Sequence, residues 1–324
     1  MKLLRRQFLH LVAGATALPA LSRTALGAHG YPTHTVRVVV GLPAGLTPDI
    51  VARLVAQRLS ERLGQPVVIE NRPGAGGNIA TELVLRAPSD GYLLLLTIAS
   101  DAFNATLYSN LTFNYVREIA PVAMICTTPF VMVVNPSVPA KTVPEFIAYA
   151  KASPGKINMA SSGIGTAPHL FGELFKMMTG VDLVHVPYRS NSMPDLLSGQ
   201  VQVTFTGLGS AIAYIRTGKL RALAVTTAAR LDVLPEIPAM DEFVAGYEAS
   251  GWNGIVAPKN TPAEIVEKLN GEINTVVADP NIKAHLVSLG VVPMSMTPPE
   301  FGKLIANETE KWAKVVKFAG IKPI

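Results

Sequence analysis

Gly41-Leu42-Pro43-Ala44-Gly45-Leu46-Thr47-Pro48-Asp49 separates two stretches of different hydrophobic period. Before it, Thr35-Val36-Arg37-Val38-Val39-Val40 is rich in β-branched residues and reads as a buried strand. After it, Ile50, Val51, Leu54, Val55 and Leu59 recur at helical spacing. The loop therefore stands where a strand ends and a helix begins. Unpaired N–H groups of the first helical turn and the positive end of the macrodipole converge there, a natural seat for a carboxylate or phosphate. Asp49 reads equally well as a helix-entry carboxylate that caps or offsets the dipole.

Working outward, the same strand-turn-helix unit recurs. Pro66 to Glu70 reads as a strand, Asn71-Arg72-Pro73-Gly74-Ala75-Gly76-Gly77-Asn78 as a glycine-rich turn, and Ile79 to Arg86 as a helix. Tyr92 to Ile98 is a third strand, opening into Ala99-Ser100-Asp101. Such units with short connections imply parallel strands covered by helices. Apolar runs Ile119 to Cys126 and Phe130 to Val134 follow. Thr142 with Glu145 then marks a capped helix start.

Farther on, Lys156 to Ala160 enters Ser161-Ser162-Gly163-Ile164-Gly165-Thr166-Ala167-Pro168-His169, and a helix from His169 to Met178 follows. This repeats the logic of the opening stretch. Val184 to Tyr188, Val201 to Phe205 and Leu220 to Val225 supply further strands, with helices at Pro194 to Leu197 and Ala211 to Arg216. Gly251 to Pro258 returns the chain to its first half, which helices at Ala263 to Val277 and Pro299 to Phe318 close. The fold class expected is α/β with two lobes, each a mostly parallel sheet flanked by helices. Residues 28–131 and 249–324 form lobe 1 and residues 132–248 lobe 2.

Residues 1–27 read as an export signal: Lys2, Arg5 and Arg6, an uncharged stretch from Gln7 to Ser22, then Ala25-Leu26-Gly27, with cleavage near Gly27-Ala28. Arg5-Arg6-Gln7-Phe8-Leu9 fits a twin-arginine signal, and the apolar stretch is short of the roughly 20 residues that span a bilayer. The expected location is periplasmic. Cleavage takes Lys2, Arg5, Arg6 and Arg23 from the 28 basic residues and nothing from the 23 acidic ones, leaving 24 against 23. The net charge of +5 on the whole chain thus belongs mainly to the signal, and it argues for neither nucleic acid nor a membrane surface as partner.

The chemistry-bearing residues exclude more than they offer. Cys126 is the sole cysteine, so neither an internal disulfide nor a multi-cysteine metal site exists. It lies in an apolar run and reads as a buried small hydrophobe. The Gly74 to Asn78 turn lacks the Lys-Ser or Lys-Thr of a phosphate loop, and Ile79 stands where a dinucleotide fingerprint needs a small residue. His34, His169, His185 and His285 show no paired metal spacing. Gly-x-Ser-x-Gly is absent around Ser161 and Ser162. Arg72 and Arg189 could each clamp an acid, against a default surface role. No cofactor, metal or catalytic residue is expected.

Pro43 to Arg53, Glu70 to Asn78, Ala87-Pro88-Ser89-Asp90-Gly91-Tyr92 and His185-Val186-Pro187-Tyr188 together resemble the tripartite tricarboxylate transporter substrate-receptor family, also called the Bug family. Gly199 to Val203, Gly218 to Val225 and Trp312 to Val316 extend the likeness over essentially the whole mature chain. The resemblance implies a type II periplasmic binding protein that closes on a small carboxylate and presents it to membrane permease subunits. Family members grip the carboxylate with two loops through N–H groups, hydroxyls and bridging water. Here these are Leu42 to Asp49 and Ser161 to Thr166. The sequence departs from the family at Leu46, where glycine is common, and in a shorter Tyr188 to Asp195 segment. It departs also at Thr206, often aspartate, which weighs against a ligand ammonium.

The expected ligand contacts are Leu42, Pro43, Ala44, Gly45, Thr47, Asp49, Asn78, Ser100, Ser161, Ser162, Gly165, Thr166, His169, Tyr188 and Thr206. The expected function is a monomeric, non-enzymatic receptor for a small carboxylate. Two alternatives stand beside it. One is a sensor subunit signalling to a membrane receptor; the other is an exported esterase using a serine of the Ser161-Ser162 loop.

Overall fold

The alternation read from the sequence is realised at once in the computed structural model, which describes residues 30–188 and 191–323. The expected signal over residues 1–27, its cleavage point and Arg189 lie outside the described residues. β1 (Val36–Val40) leads into α1 (Thr47–Leu63), β2 (Val67–Asn71) into α2 (Asn78–Leu85), and β3 (Leu93–Ile98) into α3 (Ala99–Leu107). After α4 (Tyr115–Glu118) and β4 (Ile119–Thr128), β5 (Phe130–Val134) opens a second set. This continues with α5 (Val143–Ala152), β6 (Ile157–Ser161), α6 (Ala167–Thr179), β7 (Leu183–Pro187), α7 (Met193–Ser198), β8 (Val203–Gly207), α8 (Leu208–Arg216) and β9 (Arg221–Val225). The chain ends with β10 (Gly251–Pro258), α9 (Ala263–Ala278), α10 (Pro280–Ser288), β11 (Val292–Pro293) and α11 (Pro298–Phe318).

Two mixed sheets result, both within the unit Pro32–Ile324. The first has strand order β11-β4-β10-β3-β1-β2, with β2, β1 and β3 mutually parallel and β10 antiparallel to both of its neighbours. The second has order β7-β6-β8-β5-β9, with β7, β6 and β8 parallel and β5 antiparallel between β8 and β9. The chain passes from the first sheet to the second between Thr128 and Phe130 and returns between Val225 and Gly251. Parallel strands put their carboxyl ends at one edge of each sheet, so the loops after β1, β2 and β3, and after β6, β7 and β8, gather at those edges.

Side-chain size fixes the packing. Val36, Val38, Val39 and Val40 of β1 and Leu94 to Leu96 of β3 are buried, as expected for strands covered on both faces. A Cβ on Gly254 of β10 would collide with the Phe301 ring of α11, which therefore packs directly on the backbone of the sheet. An aromatic block of Phe103 (α3), Trp312 (α11), Phe171 (α6) and Phe130 (β5) joins elements that follow different sheets. Cys126 is fully buried beside the Asn253 amide, and burial pushes its thiol up to about 12, so it is an inert core group.

Candidate functional site

The first loop is held by its own residues. α1 starts at Thr47, with Leu46 extended before it, Pro48 in the first turn and no side chain capping it. Asp49, 2% exposed, turns back into the loop. Its Oδ2 accepts from Gly45 N–H (2.9 Å) and Arg53 Nε (3.0 Å), and its Oδ1 accepts from Asn71 Nδ2 (2.9 Å). Asn71 Nδ2 also donates to Leu42 O at 3.0 Å, while Arg53 Nη2 donates to Asn71 Oδ1 at 2.8 Å. Burial raises the Asp49 carboxyl pKa, but the bonds from Arg53, Gly45 and Asn71 together outweigh it and hold the group below its ordinary value. Both carboxylate oxygens are thus spent on shaping the loop.

The second loop has the same construction. α6 follows Thr166, which is extended, with Pro168 in the first turn. Gly45 and Gly165 both adopt left-handed φ, +87° and +76°, which a side chain disfavours. Each donates its N–H to the side chain four residues on, Gly45 to Asp49 and Gly165 to His169 Nδ1 (3.0 Å). Gly45-Leu46-Thr47-Pro48-Asp49 and Gly165-Thr166-Ala167-Pro168-His169 are therefore structural counterparts. In each, the proline removes one first-turn N–H and the third helical side chain ties down the preceding glycine. The N–H groups at the helix entrance remain without a side-chain cap.

Below the second loop lies a buried polar cluster. Ser161 Oγ sits 2.6 Å from His185 Nε2 and accepts from Gly163 N–H, and Thr166 Oγ1 donates to Gly163 O at 2.7 Å. The His185 and His169 rings stack at 3.6 Å. Because His169 Nδ1 accepts from Gly165, its ring proton belongs on Nε2, which faces Glu173 Oε1. Glu173, buried but bonded to His169 and Lys176, is held below its ordinary value. His185 is pushed down to about 4, first by burial and then by the neighbouring His169.

The remaining expected contacts are scattered over the two sheet edges. Asn78 begins α2 beside the Gly77 turn, where a Cβ on Gly41 would lie 2.8 Å from Gly77 Cα. Its Oδ1 accepts from Asn104, and its Nδ2 is buried without a partner. Ser100 is half-buried in the first turn of α3, Ser162 is exposed, and Thr206 is half-buried on β8 opposite Val131. Tyr188 donates its hydroxyl to Asp195 Oδ2 at 2.6 Å. Pro43, Ala44 and Gly45 are exposed.

A cavity of about 670 Å³ opens at these edges between the first turn of α1, the Thr128-Pro129 crossing, the start of α8, and the 230–233 and 287–292 segments. Among the expected contacts Thr47 alone lines it, while Gly207 beside Thr206 does as well. The Ser161 to Thr166 loop does not line it. That loop meets the other half of the molecule at α3, where a Cβ on Gly165 would lie 2.8 Å from Leu107 Cδ1. Across the cavity, a Cβ on Gly290 would come within 3.4 Å of Gly209 Cα. Asn71, Arg53 and His185, which bond the two loops, and the 230–233 and 287–292 segments, which line the cavity, were not among the expected contacts. For Arg53 the signal was present, since Asp49 and Arg53 stand at the i,i+4 spacing of helical ion pairs.

Two shifted groups near the loops act on stability with opposite sign. Asp101, buried under Gly41 and Gly77 and bonded by Thr97 and Ile98, is raised by burial to about 6. Its stabilising effect is full below the free value of 3.8 and is lost as pH rises through about 6. His185, depressed from 6.5 to about 4, loses stability as pH falls between those values. Asp101→Asn removes the first effect alone. Relative to the parent protein, its stability is expected to rise by about 3 kcal/mol between pH 3.5 and pH 7. Urea midpoints at the two pH values check this, and an unchanged difference refutes a raised Asp101 pKa in the folded chain.

Known proteins share this architecture. The tripartite tricarboxylate transporter family receptor matches residues 51–321. Protein BugT of Bordetella pertussis is 34% identical over 304 residues, covering 92% of this chain and 93% of that protein. The solved structure of R. palustris Rpa4515 with adipate is 36% identical, has a TM-score of 0.74, and covers 91% of this chain and 100% of its own. MatC (Rpa3494) from Rhodopseudomonas palustris with bound malate is 29% identical with a TM-score of 0.71, covering 88% and 100%. A family match over most of the described residues, joined to likeness across nine-tenths of a relative and of solved structures, means that the chain belongs to the tripartite tricarboxylate transporter receptor family.

Proposed function

We propose that this chain is a periplasmic solute receptor that binds a small carboxylate between two lobes, residues 28–131 with 249–324 and residues 132–248, and delivers it to permease subunits of a tripartite tricarboxylate-type transporter. The observation that carries the reading is the paired construction of the Gly45 to Asp49 and Gly165 to His169 loops, one following each sheet. Each presents helix-entrance N–H groups in a fixed geometry while its own acceptor is turned inward. A charge-assisted hydrogen bond contributes about 1.5–3 kcal/mol, and a micromolar complex needs only about 8 kcal/mol. Donors from two loops suffice without a buried arginine. Adipate and malate in the two solved relatives support a carboxylate.

The esterase reading has less support, because Ser161 is 1% exposed with its hydroxyl engaged in the loop, and the nearby imidazole bonds Ser161 and not the exposed Ser162. The protein trimmed before Ala28, partially unfolded and refolded to strip any bound ligand, is to be screened by thermal shift against mono-, di- and tricarboxylates and amino acids. A carboxylate at a hundredfold excess over Kd is expected to add about 2.7 kcal/mol. Thr166→Ala, which removes one of the two hydroxyl partners of Gly163 O, is expected to weaken that ligand about tenfold in calorimetry, the loss of roughly one hydrogen bond. A flat carboxylate panel overturns the reading; an unaltered Thr166→Ala affinity removes the second loop from it. Loss of ligand uptake by cells deleted for the receptor tests the hand-over.

A further inference from the structure

The cavity that Thr47 lines has a chemistry of its own. Its walls are mostly aliphatic: Leu208 and Ile212 from α8, Leu231 and Val233 from one segment, Leu289 and Val292 from another. Val233 and Val292 are 43% and 38% exposed, so apolar side chains also rim its mouth. A volume of about 670 Å³ falls within the range that holds drug-sized molecules, well beyond the needs of a four-carbon acid.

The charges around it argue against a second anion. Among the described lining residues Arg230 is the one cation and Asp232 the one anion. Arg230 is already committed: Nε and Nη2 donate to Glu242 Oε1 and Oε2 at 2.8 and 2.7 Å, and Nη1 donates to Pro235 O at 3.2 Å. A bidentate carboxylate leaves a guanidinium little capacity for another. With Glu242 balancing Arg230, the exposed Asp232 leaves the 230–233 wall negative. A ligand carboxylate seated against Thr47 finds mostly aliphatic walls and, among the described lining residues, no free cation.

We infer that the preferred ligand is a monocarboxylate with an extended apolar body, a medium aliphatic chain or an aryl group, in contrast to the diacids adipate and malate of the solved relatives. This rests on the carboxylate-receptor reading and narrows it. Each methylene buried against Leu208, Ile212 and Leu231 adds about fourfold in affinity. A second carboxylate finds there only the hydroxyls of Thr128, Ser210 and Ser288 and the entrance of α8, with no free cation among the described lining residues, and it loses water.

The test is titration calorimetry of the stripped protein with butanoate, hexanoate, octanoate and phenylacetate against butanedioate and hexanedioate. Affinity is expected to climb about fourfold per methylene along the monoacids, with hexanoate at least tenfold tighter than hexanedioate. Val233→Asp on the exposed rim and Ile212→Asp on α8 are each expected to reduce octanoate binding about tenfold or more while sparing butanoate, as charge enters an apolar wall. Glu242→Gln, which releases Arg230, is expected to improve hexanedioate relative to hexanoate about tenfold. Diacids bound more tightly than monoacids of equal length, or monoacid affinity flat with chain length, overturn the inference and leave the receptor reading intact. Failure of every carboxylate to bind overturns the reading itself.

Discussion

Alanine at Asp49 is expected to lower stability by about 2–3 kcal/mol and to weaken carboxylate binding at least tenfold. The carboxylate is the hub of the first loop, accepting from Gly45 N–H, Arg53 Nε and Asn71 Nδ2. Removing it loses the bonds from Gly45 N–H and Asn71 Nδ2, about 1 kcal/mol net each, since exposed Gly45 can turn to water and Asn71 Nδ2 keeps Leu42 O. Arg53, half exposed, recovers water, so the ion pair itself adds little. Gly45 then loses what holds its left-handed turn, and Asn71, anchored on one side only, holds Leu42 less firmly. The loop still follows β1 but no longer fixes its N–H groups, and binding falls because their order must be bought from the ligand.

Asparagine at position 49 is not a rescue. Its amide nitrogen must face Asn71 Nδ2 or the Gly45 and Arg53 donors, which replaces an attraction with a donor-donor clash. The Asp49 pKa lies below its free value of 3.8, so its contribution is full above that value and fades as pH falls below it. The gap between Asp49→Ala and the parent should accordingly shrink in acid. Urea unfolding at pH 7 and pH 3, with calorimetry at pH 7, measures both. Normal affinity in a destabilised Asp49→Ala protein would remove the first loop from the ligand site.

The strands were legible wherever a β-branched or apolar run ended at a turn residue. Phe130–Val134 and Gly251–Pro258 form with the expected bounds, and the three opening strands differ by a residue at their ends. What sequence could not supply was pairing at a distance. β11 is two residues long and exists because Val292 and Pro293 find Thr127 and Cys126. α8 begins at Leu208 and not at Ala211, since Leu208 N–H is taken by Pro129 O across the chain crossing. α10 was missed despite a usable signal: Asp279 caps it through Asn281 and Ile282 N–H, with Pro280 in the first turn.

At the site, the repeated glycine, proline and acceptor pattern of the two loops was present in the sequence, and so were their places at helix entrances. The role of Asn71 was not, because it depends on the β1–β2 register that sets Val40 opposite Asn71. Ser161 reads from the sequence as a ligand-contact hydroxyl, and only the pairing of β6 with β7 brings His185 beside it. Separation in sequence hides the cavity as well: Thr47, Leu208, Leu231 and Leu289 meet only in the folded protein.

Trp312→Ala is expected to have the largest effect on stability, about 3–5 kcal/mol. The ring is fully buried on α11, edge-on to Phe103 of α3 at 5.0 Å and stacked on Phe171 of α6 at 5.2 Å, while Phe171 meets Phe130 of β5 at 4.8 Å. Its Nε1 donates to Glu308 Oε2 at 2.7 Å, and Lys311 lies over the ring at 4.8 Å. Alanine therefore leaves a cavity and takes a donor from a largely buried carboxylate. Trp312→Phe keeps most of the ring and isolates the donor's share, about 1–2 kcal/mol. Because α3 and α11 pack with the first sheet and α6 and β5 with the second, this block fastens the two halves, and none of its four rings lines the Thr47 cavity. Ligand contacts in the cavity should survive, so Trp312→Ala is expected to unfold at lower urea while its affinity falls less than about fivefold, near 1 kcal/mol. A loss of affinity as large as the loss of stability would mean instead that the aromatic block sets the spacing of the two loops, and that closure on a ligand pivots about Trp312.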